Sequence, residues 1–179
     1  MPYATYLDFD TAGSNELDRL TGCIEELDAS ISTPRRLGFG HHLTLAVYDE
    51  LDVPLMVELM PKVAANISQT GILLPALGTF PGEQSVLFAA PYVTRELFLI
   101  HERYHQLTAV IGHGRPHYHP GSWFPHATLA LNLSQRDLKA AIGAASCQWS
   151  PINAQIVSLT LVRFSPVEAV WHGSLANAA

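Results

Sequence analysis

Two short stretches of the chain spell nearly the same word: His42-Leu43-Thr44-Leu45-Ala46-Val47 and, 84 positions later, His126-Ala127-Thr128-Leu129-Ala130-Leu131. On a β-strand, residues two apart project to the same face. The first stretch therefore shows His42, Thr44 and Ala46 on one side and Leu43, Leu45 and Val47 on the other. The second shows His126, Thr128 and Ala130 against Ala127, Leu129 and Leu131. Each strand offers an apolar face to a core and, opposite it, an imidazole beside a hydroxyl, followed by an alanine that leaves room. Both strands precede a helical pattern. Such a repeat predicts a duplicated fold whose two lobes bring the strands side by side about a pseudo-twofold axis. Two histidines and two threonines then converge on one cleft.

The rest of the chain fits around that pair. Tyr3–Phe9 is rich in strand formers, and Ser14 reads as the N-cap of a helix carried by Leu17, Leu20, Ile24 and Leu27. After Pro54 a second helix runs through Leu55, Leu59, Val63 and Ile67 to end near Gly71, and residues 72–80 and 85–90 read as two strands about the turn PGEQ. A third helix is predicted over 94–111, followed by the loop GHGRPHYHPGSW. Then come the second H-x-T strand, a helix capped by Ser134, and two strands near 156–164 and 169–175. The order is β-α-β-α-β-β-α-β-α-β-β. This mixed order predicts an α+β protein: a bilobal duplicated fold of two mostly antiparallel sheets forming a central cleft, with helices packed outside. Residues 1–179, 48% of them hydrophobic, suffice for a single domain of two small lobes sharing a core.

Charge narrows the partners. Sixteen acidic residues against ten basic give a net charge of −6, and no basic cluster exceeds Arg35-Arg36, so long duplex DNA or RNA is not the expected partner. A small anion held by a few aimed donors remains compatible. No apolar run approaches the roughly 20 residues needed to span a bilayer, and MPYATYLDFD has no signal-peptide character; the expectation is a soluble, cytoplasmic protein without a membrane partner. Cys23 and Cys147 are isolated thiols, read as a buried, reduced pair.

The chemistry that two opposed imidazoles and two hydroxyls suit is phosphodiester hydrolysis without a metal or other cofactor. One neutral imidazole takes a proton from the attacking water or hydroxyl, and the opposite imidazolium gives one to the leaving oxygen. An ordinary pKa near ~6.5 lets both forms coexist about neutrality. The threonine hydroxyls donate to the non-bridging phosphoryl oxygens. The paired H-x-T motifs and the PHATLAL strand behind a His/Pro/Trp-rich loop resemble the 2H phosphoesterase superfamily and its bacterial 2′-5′ RNA ligase-like branch. That resemblance implies a bilobal α+β fold, no metal, and small nucleotides or RNA ends with 2′,3′-cyclic, 1″,2″-cyclic or 2′-5′ phosphates as substrates. It also makes His42 and His126 the acid–base pair and Thr44 and Thr128 the phosphate donors. Ala127 departs from the bulky apolar residue usual in the motif and faces the core. Tyr6, Phe88, Arg115, Tyr118, Trp123 and Arg163 are further candidates for base stacking or phosphate contact, whereas His41, on the opposite strand face, reads as structural.

A rival pattern lies at residues 101–105. HERYH fits H-E-x-x-H, in which two histidines one helical turn apart hold zinc and the glutamate acts as base. The extended zinc form requires Gly at 108 and His at 111, where Thr108 and Ile111 stand, and after Glu102 the next glutamate is Glu168, in a terminal hairpin. The stripe Leu97, Ile100, Tyr104 and Ile111 puts His101 at its edge and His105 farther toward solvent. These residues are read as an amphipathic helix beside the cleft. A zinc metallohydrolase using His101, Glu102 and His105, and a non-catalytic nucleotide-binding module, are the alternatives. The loop histidines His113, His117 and His119 invite a weaker metal reading.

Overall fold

The structure is a computed structural model of the chain, described for residues 1–112, 114–164 and 166–177. Among the described residues, eight strands and four α-helices follow one another as β1 (Tyr3–Phe9), α1 (Thr11–Glu25), β2 (His42–Tyr48), α2 (Val53–Ala65), β3 (Thr70–Leu74), β4 (Ala76–Phe80), β5 (Ser85–Ala90), α3 (Arg95–Leu107), β6 (Ala127–Leu133), α4 (Gln135–Gln148), β7 (Ile152–Arg163) and β8 (Glu168–Ser174). They form an α+β fold with two antiparallel sheets. The larger runs β2-β1-β7-β3, with β8 beside the second half of β7, and the smaller runs β4-β5-β6. The two H-x-T strands are the edge strands of separate sheets, and they lie against one another.

Local chemistry explains most boundaries. The α4 helix starts where expected, with Ser134 Oγ accepting from Asp137 N at 3.2 Å, and α3 is capped by Thr94. The α1 helix begins a turn earlier than the Ser14 reading: the Asp10 carboxylate follows directly on β1, accepts from Gly13 N at 3.1 Å, and also takes Gln155 N, tying the helix start to β7. The α2 helix ends at Ala65 rather than near Gly71, because Thr70–Leu74 leaves to pair with β7. Residues 72–80 are not one strand. Pro75 separates β3 from β4, and the halves join different sheets. The third helix stops at Leu107 and continues only as a 3₁₀ turn over Ala109–Ile111.

One apolar cluster runs through both sheets and under the helices, from Leu7, Leu43 and Leu45 to Leu87, Ala127, Leu129 and Leu159. Leu43, Leu45, Ala127 and Leu129 are its members, as the alternation read from the sequence expects. The alternation then breaks: Ala46 and Ala130 turn into the cluster, and Val47 and Leu131 line a cavity with Thr44 and Thr128 instead, where the ladders to the neighbouring strands shift register. Within the cluster Tyr104 is fully buried; its hydroxyl donates to Thr5 Oγ1 and meets the Tyr48 hydroxyl, each at 3.0 Å, so the polar atom is satisfied. The first turn of α1 packs on β7 so closely that a Cβ on Gly13 would lie 2.3 Å from Ala154 Cβ. Gly13→Ala is therefore expected to destabilise the fold by about 1–3 kcal/mol through overpacking, measured as a lowered urea midpoint. An unchanged midpoint would mean that the helix end can lift without cost.

Candidate active site

The two halves of the site are built alike. On β2, His42 Nδ1 lies 2.7 Å from the Gly40 carbonyl; at the start of β6, His126 Nδ1 lies 2.8 Å from the Phe124 carbonyl. A carbonyl only accepts, so in both rings Nδ1 carries a proton and Nε2 is left for chemistry. Each imidazole also rests on an aromatic ring from the neighbouring strand. Tyr6, paired in register with Thr44, stacks on His42 at 4.2 Å, and Phe88, paired with Thr128, lies 5.2 Å from His126, with Phe80 edge-on at 4.9 Å. Phe88 has that position because its partner Gly78 has no side chain: a Cβ there would sit 2.4 Å from the ring.

His42, Thr44 and Thr128 line one cavity of about 150 Å³, whose other walls are apolar, among them Tyr6, Phe39 and Phe164. His126 lines an adjoining cavity of about 410 Å³ with Phe80, Phe124 and His117. Tyr118 belongs to both. Burial pushes the His42 pKa down to about 4, with the Gly40 carbonyl opposing this and the charges of His41 and His126 adding to it. Burial also lowers His126, countered by the Phe124 carbonyl. Burial thus favours the neutral form of both rings at pH 7 in the free protein. Beside them, Asp8 takes hydrogen bonds from Ser158 (2.9 Å) and Thr160 (2.7 Å), and burial raises its pKa.

Of the other sequence candidates, Tyr6 is mostly buried beneath His42 yet still walls its cavity, and Phe88 is buried beneath His126. Trp123 donates its indole N–H to the Thr44 carbonyl at 2.9 Å. Arg115 is ion-paired with Asp49 at 2.6 Å, and Arg163 with Glu168, so neither guanidinium is unpaired. The loop residue His113 lies outside the described residues. His117 stands in the cavity with His126, and His119 Nε2 donates to the Gly114 carbonyl at 2.7 Å.

HERYH requires a correction. His101 is not at the edge of its helix's buried face but fully buried, because the loop before β6 folds over it: Trp123 stacks on the ring at 4.0 Å and 5°, and Nε2 meets the Tyr118 carbonyl at 3.0 Å. His105 Nε2 lies 3.1 Å from His101 Nε2. Among the described residues no group of three or more His, Cys, Asp and Glu is gathered to hold a metal. The cysteines also differ from expectation. Both are free, but Cys23 is half-buried and Cys147 exposed, since Cys147 falls on the outer side of α4. His41, by contrast, is buried and polar-bonded, a role that its place on the core face could have suggested.

Two antiparallel sheets whose facing edge strands each carry H-x-T define the class of two-histidine phosphoesterase-like α+β proteins. A sequence profile of the 2′-5′ RNA ligase superfamily matches residues 10–168, and the chain belongs to that superfamily. Membership supports a phosphoesterase or ligase-like activity. The fold is similar to that of TT0787 of Thermus thermophilus (TM-score 0.67, 18% identity, 100% of each chain covered). It is also similar to E. coli LigT complexed with 3′-AMP (0.58, 16%, 98% of this chain and 99% of that one) and to Kluyveromyces marxianus Usb1 (0.52, 10%, 94% and 97%). Comparison with curated protein sequences finds no match. No helix among the described residues is long and apolar enough to cross a membrane.

Proposed function

We propose that the protein is a metal-independent phosphoesterase that opens 2′,3′-cyclic (or 1″,2″-cyclic) phosphates, or cleaves 2′-5′ bonds, on small nucleotides or RNA ends. The observation that carries this reading is the matched pair of imidazoles, each with Nδ1 tied to a main-chain carbonyl two residues back and each beside a threonine on the same strand face. The apolar cavity beside His42 suits a nucleobase, and LigT has been solved with 3′-AMP and with NADP+, which supports a small nucleotide ligand here as well.

Water attacks phosphorus and gives its proton to one Nε2, while the phosphorus–oxygen bond to the ribose breaks and the leaving oxygen takes a proton from the other Nε2. His42, held neutral most strongly, is assigned as base and His126 as acid. Thr44 and Thr128 donate to the non-bridging oxygens, where charge must be stabilised. The free-protein pKa values set the pH profile. The base must be unprotonated, above about 4, and the acid protonated, below its lowered value, so kcat/KM is expected to peak on the acidic side of neutrality.

The test is hydrolysis of 2′,3′-cyclic AMP by purified protein with and without EDTA. Activity that survives the chelator supports the reading. Activity lost with EDTA and restored by zinc would turn it to the His101–Glu102–His105 alternative, and nucleotide binding without turnover would leave a binding module. Thr44→Ala and Thr128→Ala are each expected to lower kcat by about 10²-fold, as loss of one oxyanion donor does. Unchanged kcat in both would remove the threonines from the chemistry.

A further inference from the structure

Two hydrogen bonds cross between the sheets, and they mirror one another. The Trp123 indole N–H, three residues before His126, donates to the carbonyl of Thr44 at 2.9 Å. The His41 ring, one residue before His42, has its Nδ1 3.3 Å from the carbonyl of Thr128. Each donor thus stands at the head of one H-x-T strand, and each acceptor is the main chain of the threonine in the other. Since a carbonyl only accepts, His41 Nδ1 must carry the proton.

Both donors are held from behind. His41 is 4% exposed, and its Nε2 lies 3.3 Å from Thr21 Oγ1 and 3.3 Å from Asp18 Oδ1, both on α1. The Trp123 ring stacks flat on the buried His101 of α3, whose Nε2 meets the Tyr118 carbonyl. So α1 braces one crossing bond and α3 the other. These bonds matter because β2 and β6 are not joined in one ladder. They are edge strands of separate sheets, and nothing in the strand pairing sets the separation of their threonines.

We propose that His41 and Trp123 are reciprocal positioning residues, each fixing the main chain of the opposite lobe's phosphate-binding threonine and so setting the distance and register between the two H-x-T strands. The proposal rests on the function proposed above. Neither residue touches the substrate; each acts through the strand it grips. A misplacement of about 1 Å in a reacting constellation can cost roughly 10²-fold in rate, so a loosened crossing bond is expected to appear in turnover more than in substrate affinity.

The experiment compares Trp123→Phe, which keeps the ring on His101 but removes the N–H, with His41→Leu, which removes its donor, and His41→Asn, whose amide can replace Nδ1–H. With 2′,3′-cyclic AMP as substrate, Trp123→Phe and His41→Leu are expected to lower kcat by about 10–100-fold with KM within about threefold, and His41→Asn to recover most of the loss. Hydrogen exchange of the Trp123 indole N–H, followed by NMR, supplies a readout that does not need activity. In the wild type it should be strongly protected, and His41→Leu should weaken that protection across the cleft.

Wild-type kcat in folded Trp123→Phe and His41→Leu, or an indole proton exchanging as fast as a free indole, would overturn the proposal. Should His41→Leu fail to fold, Trp123→Phe and the exchange measurement decide it. An inactive wild type with a protected indole proton would count against the proposed function and not against the crossing bonds.

Discussion

Replacing either His42 or His126 by alanine is expected to reduce turnover of 2′,3′-cyclic AMP by about 10³-fold or more, since a positioned acid or base supplies 10²–10⁴-fold. The two losses should not multiply. Once one imidazole is gone the proton can no longer be taken on one side and given on the other, so the double variant should fall little below either single one. Neither alanine should unfold the protein, because each residue is only half-buried and what is lost is one hydrogen bond to a local carbonyl and the ring's contact with its aromatic neighbours, Tyr6 for His42 and Phe88 and Phe80 for His126. The measurement is initial rate with circular dichroism on the same samples. A folded His42→Ala or His126→Ala within tenfold of wild type would end the two-histidine mechanism. Loss in only one of them would leave a single general base.

The second large effect is on stability. Burial lowers the pKa of His101 to about 4, with the charge of His105 adding to this, while the folded protein also holds His41, His42 and His126 below their ordinary values. In the unfolded chain these rings titrate near ~6.5. Between those values the unfolded state binds more protons than the folded one, so stability is complete above about 6.5 and is lost as pH falls toward 4. For the fully buried His101 alone the loss between pH 7.5 and pH 5 is expected to be about 2 kcal/mol. Urea unfolding at the two pH values measures it. His101→Phe, which still stacks on Trp123 and cannot titrate, should flatten the profile by that amount even if it costs some stability at pH 7.5. A wild-type midpoint that does not move between pH 7.5 and pH 5 would show that His101 takes its proton in place.

Much of this was legible in the residues. Strand alternation put Leu43, Leu45, Ala127 and Leu129 in the core and left His42, Thr44 and Thr128 on the opposite face, where they share a cavity. The cap at Ser134 and the strand at Tyr3–Phe9 followed from local chemistry alone. What escaped depended on partners distant in sequence. The break at Pro75 could be suspected, but nothing nearby tells that Thr70–Leu74 and Ala76–Phe80 go to different sheets. His101 looked half-exposed on a helical wheel because the residues that cover it, Tyr118 and Trp123, come from a loop with no periodicity. His41 sat beside a recognised motif and faced away from it, so its reach to Thr128, 87 positions on, had no local signal. The ion pairs of Arg115 with Asp49 and of Arg163 with Glu168 likewise had no signal in the local sequence.

The carbonyls of Gly40 and Phe124 that hold the two imidazoles have a genetic consequence. Side chains can be exchanged by changing a codon, but every residue of the code brings the same main-chain oxygen. The proton arrangement of both rings is therefore beyond the reach of any substitution at positions 40 or 124 that leaves the backbone in place. Scanning mutagenesis would pass over these two anchors without registering them. Only a chemical change to the polypeptide itself, such as swapping the carbonyl for a thioamide by semisynthesis, would weaken the acceptor and let the ring turn.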